Sequence, residues 1–560
     1  MRTSRRSLLF VLILLGASFA SAFAQEAVPP AVFGETVDVE VVNVDVFVTD
    51  RDGQPVLGLT RDDFEIVADG RPVPIEFFSA PSADAVYLKL PGSPGSLPEA
   101  DAAPPPPRPT LVVYVDNLNL TGGRRKEALN HLEKLIEDRM QTGHRAMVVV
   151  FDRSLRILVP ATDDLRAVRG AFAEIARTQP RATQRLAQEQ RLKVELEQIT
   201  PADFVSGLMD QISWFAQEEA QDTRMALIAL NDLMSLLAGV EGPKIVFLVS
   251  GGISTEPGRT LWEAFDRRYG GTWGSQVDQR RAGDLDANEV QRELQRVTRA
   301  AQASRALIYA VDAGIRGPAM DAGEVGSEIV SGSTPGEFGQ VEASSNIGSL
   351  ADRSGGRRLL SGPDLTSTLT VVAREIASAY SLGFTPAPDR ADRMRDLTVR
   401  VKREGVRVRH REGYWRRSPE QQLAATALAA ASLDTGENPL GARLEVEVNG
   451  RGGRKREQQV KVLARLPISQ LTLVPAEGRH AGKLLFEFAV RDEEGRVQSF
   501  PPREQTFSIP EADLAAAASQ TIAYSVEMQL APGNYHLAVA VLDAVGGVRS
   551  TATISFQVKK

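Results

Sequence analysis

Residues 110–151 read TLVVYVDNLNLTGGRRKEALNHLEKLIEDRMQTGHRAMVVVF. The first seven form an unbroken apolar run ending in Asp116, the pattern of a strand buried on both faces of a parallel sheet. Gly122-Gly123 breaks the run. RRKEALNHLEKLIEDRM then places apolar residues at helical spacing, and HRAMVVVF is a second buried strand. A strand, a helix and a strand in this order make a βαβ unit, which closes right-handed onto a parallel sheet. The alternation continues through RILVP (156–160), PKIVFLVSGG (243–252), ANEVQRELQRVTRAAQAS (287–304), ALIYAVDA (306–313), SLADRSGGRRLL (349–360) and DLTSTLTVVAREIASAY (364–380). These segments predict an α/β domain over 110–385, a doubly wound sheet with helices on both faces. Residues 163–222 are helical in character and form an insertion in it.

The flanks change period. VDVEVVNVDVFVTD (37–50) alternates as a half-buried strand does, and Asp52-Gly53 and Asp69-Gly70 are turn signals, so 35–90 read as an N-terminal β module. Residues 91–109 (PGSPGSLPEADAAPPPPRP) have linker composition. Residues 386–416 read as a β exit segment that extends or flanks the main sheet. Residues 417–440 read as a linker with an Ala-rich helical stretch. Residues 441–560 hold short alternating segments with regular turn signals, which predict a β-sandwich of immunoglobulin-like shape.

The bulk properties narrow the function classes. A net charge of -7 over 560 residues gives no footprint for nucleic acid. The absence of cysteine excludes disulfides, thiolate metal sites, a Cys nucleophile and a lipidated cysteine. Arg2, Arg5 and Arg6 precede the apolar run Leu8–Leu15, and Ala22-Phe23-Ala24 fits a small-x-small cleavage rule. Residues 1–24 therefore read as a signal peptide cut after Ala24. The run is too short to span a bilayer, no later stretch is long enough, and the expected location is periplasmic or secreted.

Four stretches carry a family resemblance: VFVTDRDGQPVLGLTRDDFEIVADGRPVPIEFFS (46–79), VVYVDNLNL (112–120), GVEGPKIVFLVSGG (239–252) and SAYSLGFTPAPDRADRMRDLTVRVKREGVRVRHREGYW (378–415). In this order and spacing the chain resembles the von Willebrand factor A-related proteins of Acidobacteria over residues 35–416. The resemblance implies a Rossmann-like von Willebrand factor A domain in an exported setting. It also implies a metal-ion-dependent adhesion site: Asp-x-Ser-x-Ser after the first strand, a Thr, and an Asp after the central strand, holding Mg²⁺ or Ca²⁺ through hard oxygens.

Residue by residue, the match is partial. Asp116 stands at the first Asp, but Leu118 and Leu120 replace the two Ser. Asn119 and Thr121 lie nearby, Thr223 ahead of MALIALNDLMSLLAG matches the Thr, and Ser250-Gly251-Gly252 leaves Gly251 where the second Asp belongs. Two readings stand side by side. In one, Asp116, Asn119, Thr121, Thr223 and Ser250 make an altered metal site. In the other, Asp116 is a strand-end residue bonded to loop amides.

Other chemistry is thinner. His131, His144, His410, His480 and His536 show no metal-ligand spacing. Ser250 follows a buried strand, yet Leu248 stands where a nucleophile elbow needs Gly. Gly122-Gly123 and Gly251-Gly252 lack the phosphate-loop pattern and read as tight turns. Trp262 and Trp273 flank a Gly-rich segment and either anchor a partner or pack on the scaffold. The leading expectation is binding of a protein or cell-surface ligand, with no catalytic or organic-cofactor residues. The alternatives are a hydrolase built on Asp116 and Ser250, and a scaffold without a dedicated site.

Overall fold

The computed structural model describes residues 41–81, 109–198, 205–269, 287–314, 335–362, 365–387, 393–434, 436–451 and 457–559. The sequence readings of 1–24 and of Trp273, and all of the linker but Pro109, lie outside them. The chain forms two compact units, one of Glu40–Leu237 with Gly242–Arg416 and one dominated by Arg417–Lys560.

The strands of the first unit are β1 (Val42–Thr49), β2 (Phe64–Ala68), β3 (Arg71–Val73), β4 (Phe77–Ser79), β5 (Thr110–Asp116), β6 (Arg145–Phe151) and β7 (Leu155–Thr162). They continue with β8 (Lys244–Ser250), β9 (Ala306–Asp312), β10 (Arg357–Leu360), β11 (Tyr380–Phe384), β12 (Met394–Val401), β13 (Arg407–Arg409) and β14 (Gly413–Trp415). Its helices include α1 (Gly122–Gln141), α2 (Leu165–Arg177), α3 (Ala182–Gln198), α4 (Val205–Leu237), α5 (Ala287–Ser304), α6 (Pro335–Arg353) and α7 (Leu365–Ala377).

The central sheet runs β10-β9-β8-β5-β6-β7. All its pairings are parallel except β6–β7, which is antiparallel and closes one edge. The strand order reverses direction at β5, as it must when crossover helices cover both faces. Leu111, Val113 and Val115 of β5 share one apolar cluster with Leu132 and Ile136 of α1, Phe172 of α2 and Leu369 of α7. Val112 and Tyr114 point the other way and are buried too, which is why β5 reads as a continuous apolar run. Asp164 caps α2 by accepting from the Arg166 amide at 2.9 Å.

Two features of this unit differ from the sequence expectation. Of the two placements expected for the exit segment 386–416, extending or flanking the main sheet, the first does not occur, and β11, expected within the α/β domain, leaves the central sheet as well. β11 pairs with β1 and β4, and β12 pairs with β2. The results are two antiparallel sheets, β13-β1-β11-β4 and β14-β12-β2-β3, which share one core containing Val44, Val46, Ile66, Tyr380, Leu382 and Val399. The N-terminal and exit strands are therefore one module, because each alone has an apolar face with nothing to bury it. The insertion also has no boundary at residue 222. α4 runs unbroken through it to Leu237, so Thr223 lies mid-helix and not ahead of a helix.

The second unit holds α8 (Pro419–Leu433), then β15 (Arg443–Arg451), β16 (Gln458–Pro467), β17 (Val474–Ala476), β18 (Arg479–Asp492) and β19 (Val497–Ser499). It ends with β20 (Arg503–Pro510), β21 (Thr521–Leu530), β22 (Gly533–Asp543) and β23 (Val548–Val558). One antiparallel sheet runs β15-β16-β21 and the other β17-β18-β22-β23, with β19 and β20 also pairing to β18. Val462, Leu466, Phe486, Phe488, Val539 and Val541 fill the core shared by both sheets. The Ala-rich stretch of 417–440 is helical, as expected, but residues 419–433 are packed on the sheet and are no linker. Ser418 caps α8, Pro419 opens it, and Leu423, Ala427, Ala430 and Ala431 pack on Leu485, Ala489, Ala538 and Ala540. Small residues on both sides let the helix backbone lie close to the sheet.

Candidate functional site

The carboxyl end of the parallel sheet is where the loops after β5 and β8 diverge, and ligand crevices form at such points. The structure brings together Asp116, Asn119 and Ser250 there. Asp116 ends β5 and is 3 % exposed. Its Oδ2 accepts from the Ser250 hydroxyl at 2.8 Å and from Asn119 Nδ2 at 2.8 Å, and its Oδ1 accepts from the Asn119 amide at 3.3 Å. Burial raises the Asp116 pKa above the usual carboxylate range, and the bonds from Asn119 and Ser250 pull against that rise.

Thr121 and Thr223 make no hydrogen bond to this carboxylate among the described residues. Thr121 stands at the N-cap of α1 without a side-chain cap bond, and Thr223 is buried in the interior of α4. Gly122 and Gly123 are the first residues of α1, not a tight turn. Trp262 does not anchor a partner: it is 1 % exposed and packs with Phe215, Leu261 and Phe265.

A residue absent from the sequence reading completes the cluster. Arg185 of α3 donates from Nη2 to Asn119 Oδ1 at 2.8 Å, and its Nε lies 4.0 Å from Glu219 Oε1 of α4. Glu219 also accepts from the Gly258 amide at 2.9 Å, and burial pushes its pKa up while the Arg185 charge opposes the rise. The same guanidinium lowers the pKa of Asp116 and of Asp222, in each case against the larger raising effect of burial. One cation thus serves three partly or fully buried carboxylates. Arg185 sits in RATQRLAQEQRLKVELEQ (181–198), within the helical insertion. No local signal marks it, because the side of a helix that a charge faces is set by tertiary packing.

A divalent ion does not fit this donor set. Leu118 and Leu120 are buried apolar residues, 2 % and 0 % exposed. A Cβ built on Gly251 would lie 1.9 Å from the Asn119 carbonyl oxygen, so no acidic ligand can replace that glycine without moving the backbone. Both Asp116 oxygens are already bonded within the chain, and Asn119 Oδ1 is taken by Arg185. Among the described residues no group of three His, Asp or Glu side chains is arranged to hold a metal.

The loops around the cluster are tied down. The Asn117 side chain donates to the Gln179 carbonyl at 3.1 Å and accepts from Arg125. The Arg181 amide donates to the Asn117 carbonyl at 3.1 Å, and Arg181 pairs with Asp152. On the far side, Glu342 of α6 accepts from the Thr255 amide at 3.1 Å and from Asn346, fixing the loop after β8. By contrast Trp214 of α4 is 74 % exposed, the largest apolar group on the outer side of that helix.

No family model matches the chain, and no curated protein matches it. Solved structures with partial likeness include the putative ApaA protein from Bordetella pertussis, 14% identical over 22% of this chain and 96% of that one, with a TM-score of 0.16. The β-glucuronidase of Bacteroides uniformis is 9% identical over 32% of this chain and 19% of that one, with a TM-score of 0.14. Likeness at this level carries no inference about fold or activity. No described helix is long and apolar enough to cross a membrane.

Proposed function

We propose that this chain is an exported von Willebrand factor A-type protein that binds a protein or cell-surface ligand without a metal ion, carrying an immunoglobulin-like sandwich at its C-terminal end. The observation that carries the metal-free reading is Arg185. Its guanidinium occupies the acidic strand-end cluster in which a divalent cation would otherwise balance Asp116 and its neighbours. The cation is covalently part of the chain, so recognition draws on surface shape and side chains rather than on a shared ion. The outer face of α4 is the contact surface, with Trp214 as its anchor. Tryptophan is among the residue types enriched at the positions that dominate binding energy in protein interfaces.

The test has two arms. Titrating Mg²⁺, Mn²⁺ and Ca²⁺ to millimolar should give no heat of binding and no shift in melting temperature. A saturable isotherm would refute the metal-free reading. Partner capture from periplasmic extract should be indifferent to chelator and should fall at least about tenfold in Trp214→Ala. Capture that chelator abolishes, or that the Trp214 variant leaves intact, would refute the surface assignment.

A further inference from the structure

We propose that the cleft between α1 and α2 binds a small organic anion with an apolar part, Arg125, Lys126 and Arg177 holding its charged group and Leu129 and Phe172 its hydrocarbon. This site is separate from the strand-end cluster and does not depend on the reading given for it.

The cleft has a volume of about 490 Å³. That lies within the range of roughly 300–1,000 Å³ of small-molecule pockets, and it is too small for a folded partner. Its floor is apolar: Leu129 and Phe172 are buried members of the main core, and Ala173 and Ala176 of α2 complete the wall.

The charge balance at one end is lopsided. Arg125 is 4 % exposed and lines the cleft. Its guanidinium donates only to neutral oxygens, the Asn117 side chain, Thr178 Oγ1 at 3.4 Å and the Thr178 carbonyl at 2.6 Å. Among the described residues no carboxylate pairs with it. A buried cation without a counter-ion is a cost that structures normally offset with an opposite charge. Lys126 and Arg177 stand exposed at the same cleft, and neither makes an ion pair among the described residues.

The opening turn of α1 adds to this field. It contains no acidic residue, and Thr121 does not cap it with its side chain. Basic residues there oppose the helix dipole, so an anion brought from outside would stabilise the turn.

Glu133 and Arg169 also line the cleft, and they set the orientation. Arg169 is held by Glu137 at 2.5 Å, and Glu133 is pushed up in pKa by burial and by Glu137. With Arg169 already paired to Glu137 and the Glu133 carboxyl on the wall, that end offers an anion no free cation, and the head group points toward Arg125 and Arg177. A carboxylate accepting two parallel N–H bonds is the geometry a guanidinium favours.

Benzoate is a suitable probe, with benzamide as its neutral isostere and inorganic phosphate as the anion without an apolar part. Isothermal titration of the full chain should show one benzoate per chain, bound at least about tenfold more tightly than benzamide or phosphate. Lys126→Ala with Arg177→Ala should weaken benzoate at least about tenfold. Ala176→Phe, placed on an exposed position of the wall, should abolish binding while the circular dichroism melt stays unchanged. Equal affinity for benzoate and benzamide would overturn the charge assignment. Phosphate binding without benzoate preference, or binding that survives Ala176→Phe, would mean an adventitious ion only. No benzoate binding at millimolar concentration would overturn the proposal outright.

Discussion

Single residues set the chemistry of this molecule by what they exclude. Gly251 touches backbone where an acid would need a side chain, and Leu118 and Leu120 fill space where hydroxyls would be needed. Those departures were visible in the sequence, as was the convergence of Asp116, Asn119 and Ser250. Arg185 was not, because a charge on a helix gives no sign of which way it faces until the tertiary packing is known. The second unit offers a case with a measurable pH signature. Glu487 is 2 % exposed on β18, on the face that packs under α8, and its Oε2 has no hydrogen-bond partner among the described residues. Burial raises its pKa from 4.5 to about 7, with Arg503 pulling weakly the other way. The folded state therefore holds this proton more tightly than the unfolded chain does. The stabilisation from that proton is complete below about pH 4.5 and is lost as pH rises through about 7, up to roughly 3 kcal/mol. Glu487→Gln should flatten the pH dependence of stability across this window, read from urea melts at pH 5 and pH 8. A variant whose pH slope equals that of the parent would show that the carboxyl ionises freely.

At the scale of elements, most of the molecule was legible because period and length agree with burial. β5, β6, β8 and β9 are apolar between their end residues and lie inside the central sheet. The failures came where an element's fate depends on a distant partner. β11 and β12 have ordinary strand patterns, and nothing local says that they pair with β1 and β2 rather than with the edge of the main sheet. α8 buries mostly alanine, so it lacks the strong amphipathic contrast that marks a docked helix, and its helical stretch reads as part of a linker. The start of α4 differs from expectation for a simpler reason: QEEAQDTRM has no Gly or Pro to stop a helix, and the helix does not stop. Thr223→Pro distinguishes the two placements. In the interior of α4 it should cost about 3 kcal/mol or more, whereas proline is tolerated in the first turn of a helix. A loss under about 1 kcal/mol in chemical denaturation would argue that a helix begins at Thr223.

Across the whole molecule, the first unit is discontinuous in sequence in a particular way. Its parallel-sheet core is local, built from strands and helices that follow one another between residues 110 and 377. Its β module is not: the Tyr380 hydroxyl donates to the Val56 carbonyl at 2.9 Å across 324 residues of chain. A chain beginning at residue 109 should therefore keep its α/β core but expose Tyr380, Leu382 and Phe384, binding a hydrophobic dye and melting less cooperatively. Adding residues 41–81 as a separate peptide should restore the parent melt. Failure of the peptide to bind would mean that the module depends on covalent continuity. The same arrangement governs timing. The N-terminal strands leave the ribosome first and have no partner until β11 and β12 follow, an interval of at least the order of tens of seconds at typical synthesis rates and longer if the chain is exported before it folds. For that period β1 is an unpaired strand, and its apolar residues Val42, Val44, Val46 and Val48 invite pairing with any other extended chain. The hazard grows with the number of chains being made at once, so yield of folded protein should be limited by holdase capacity during synthesis rather than by the stability of the finished fold.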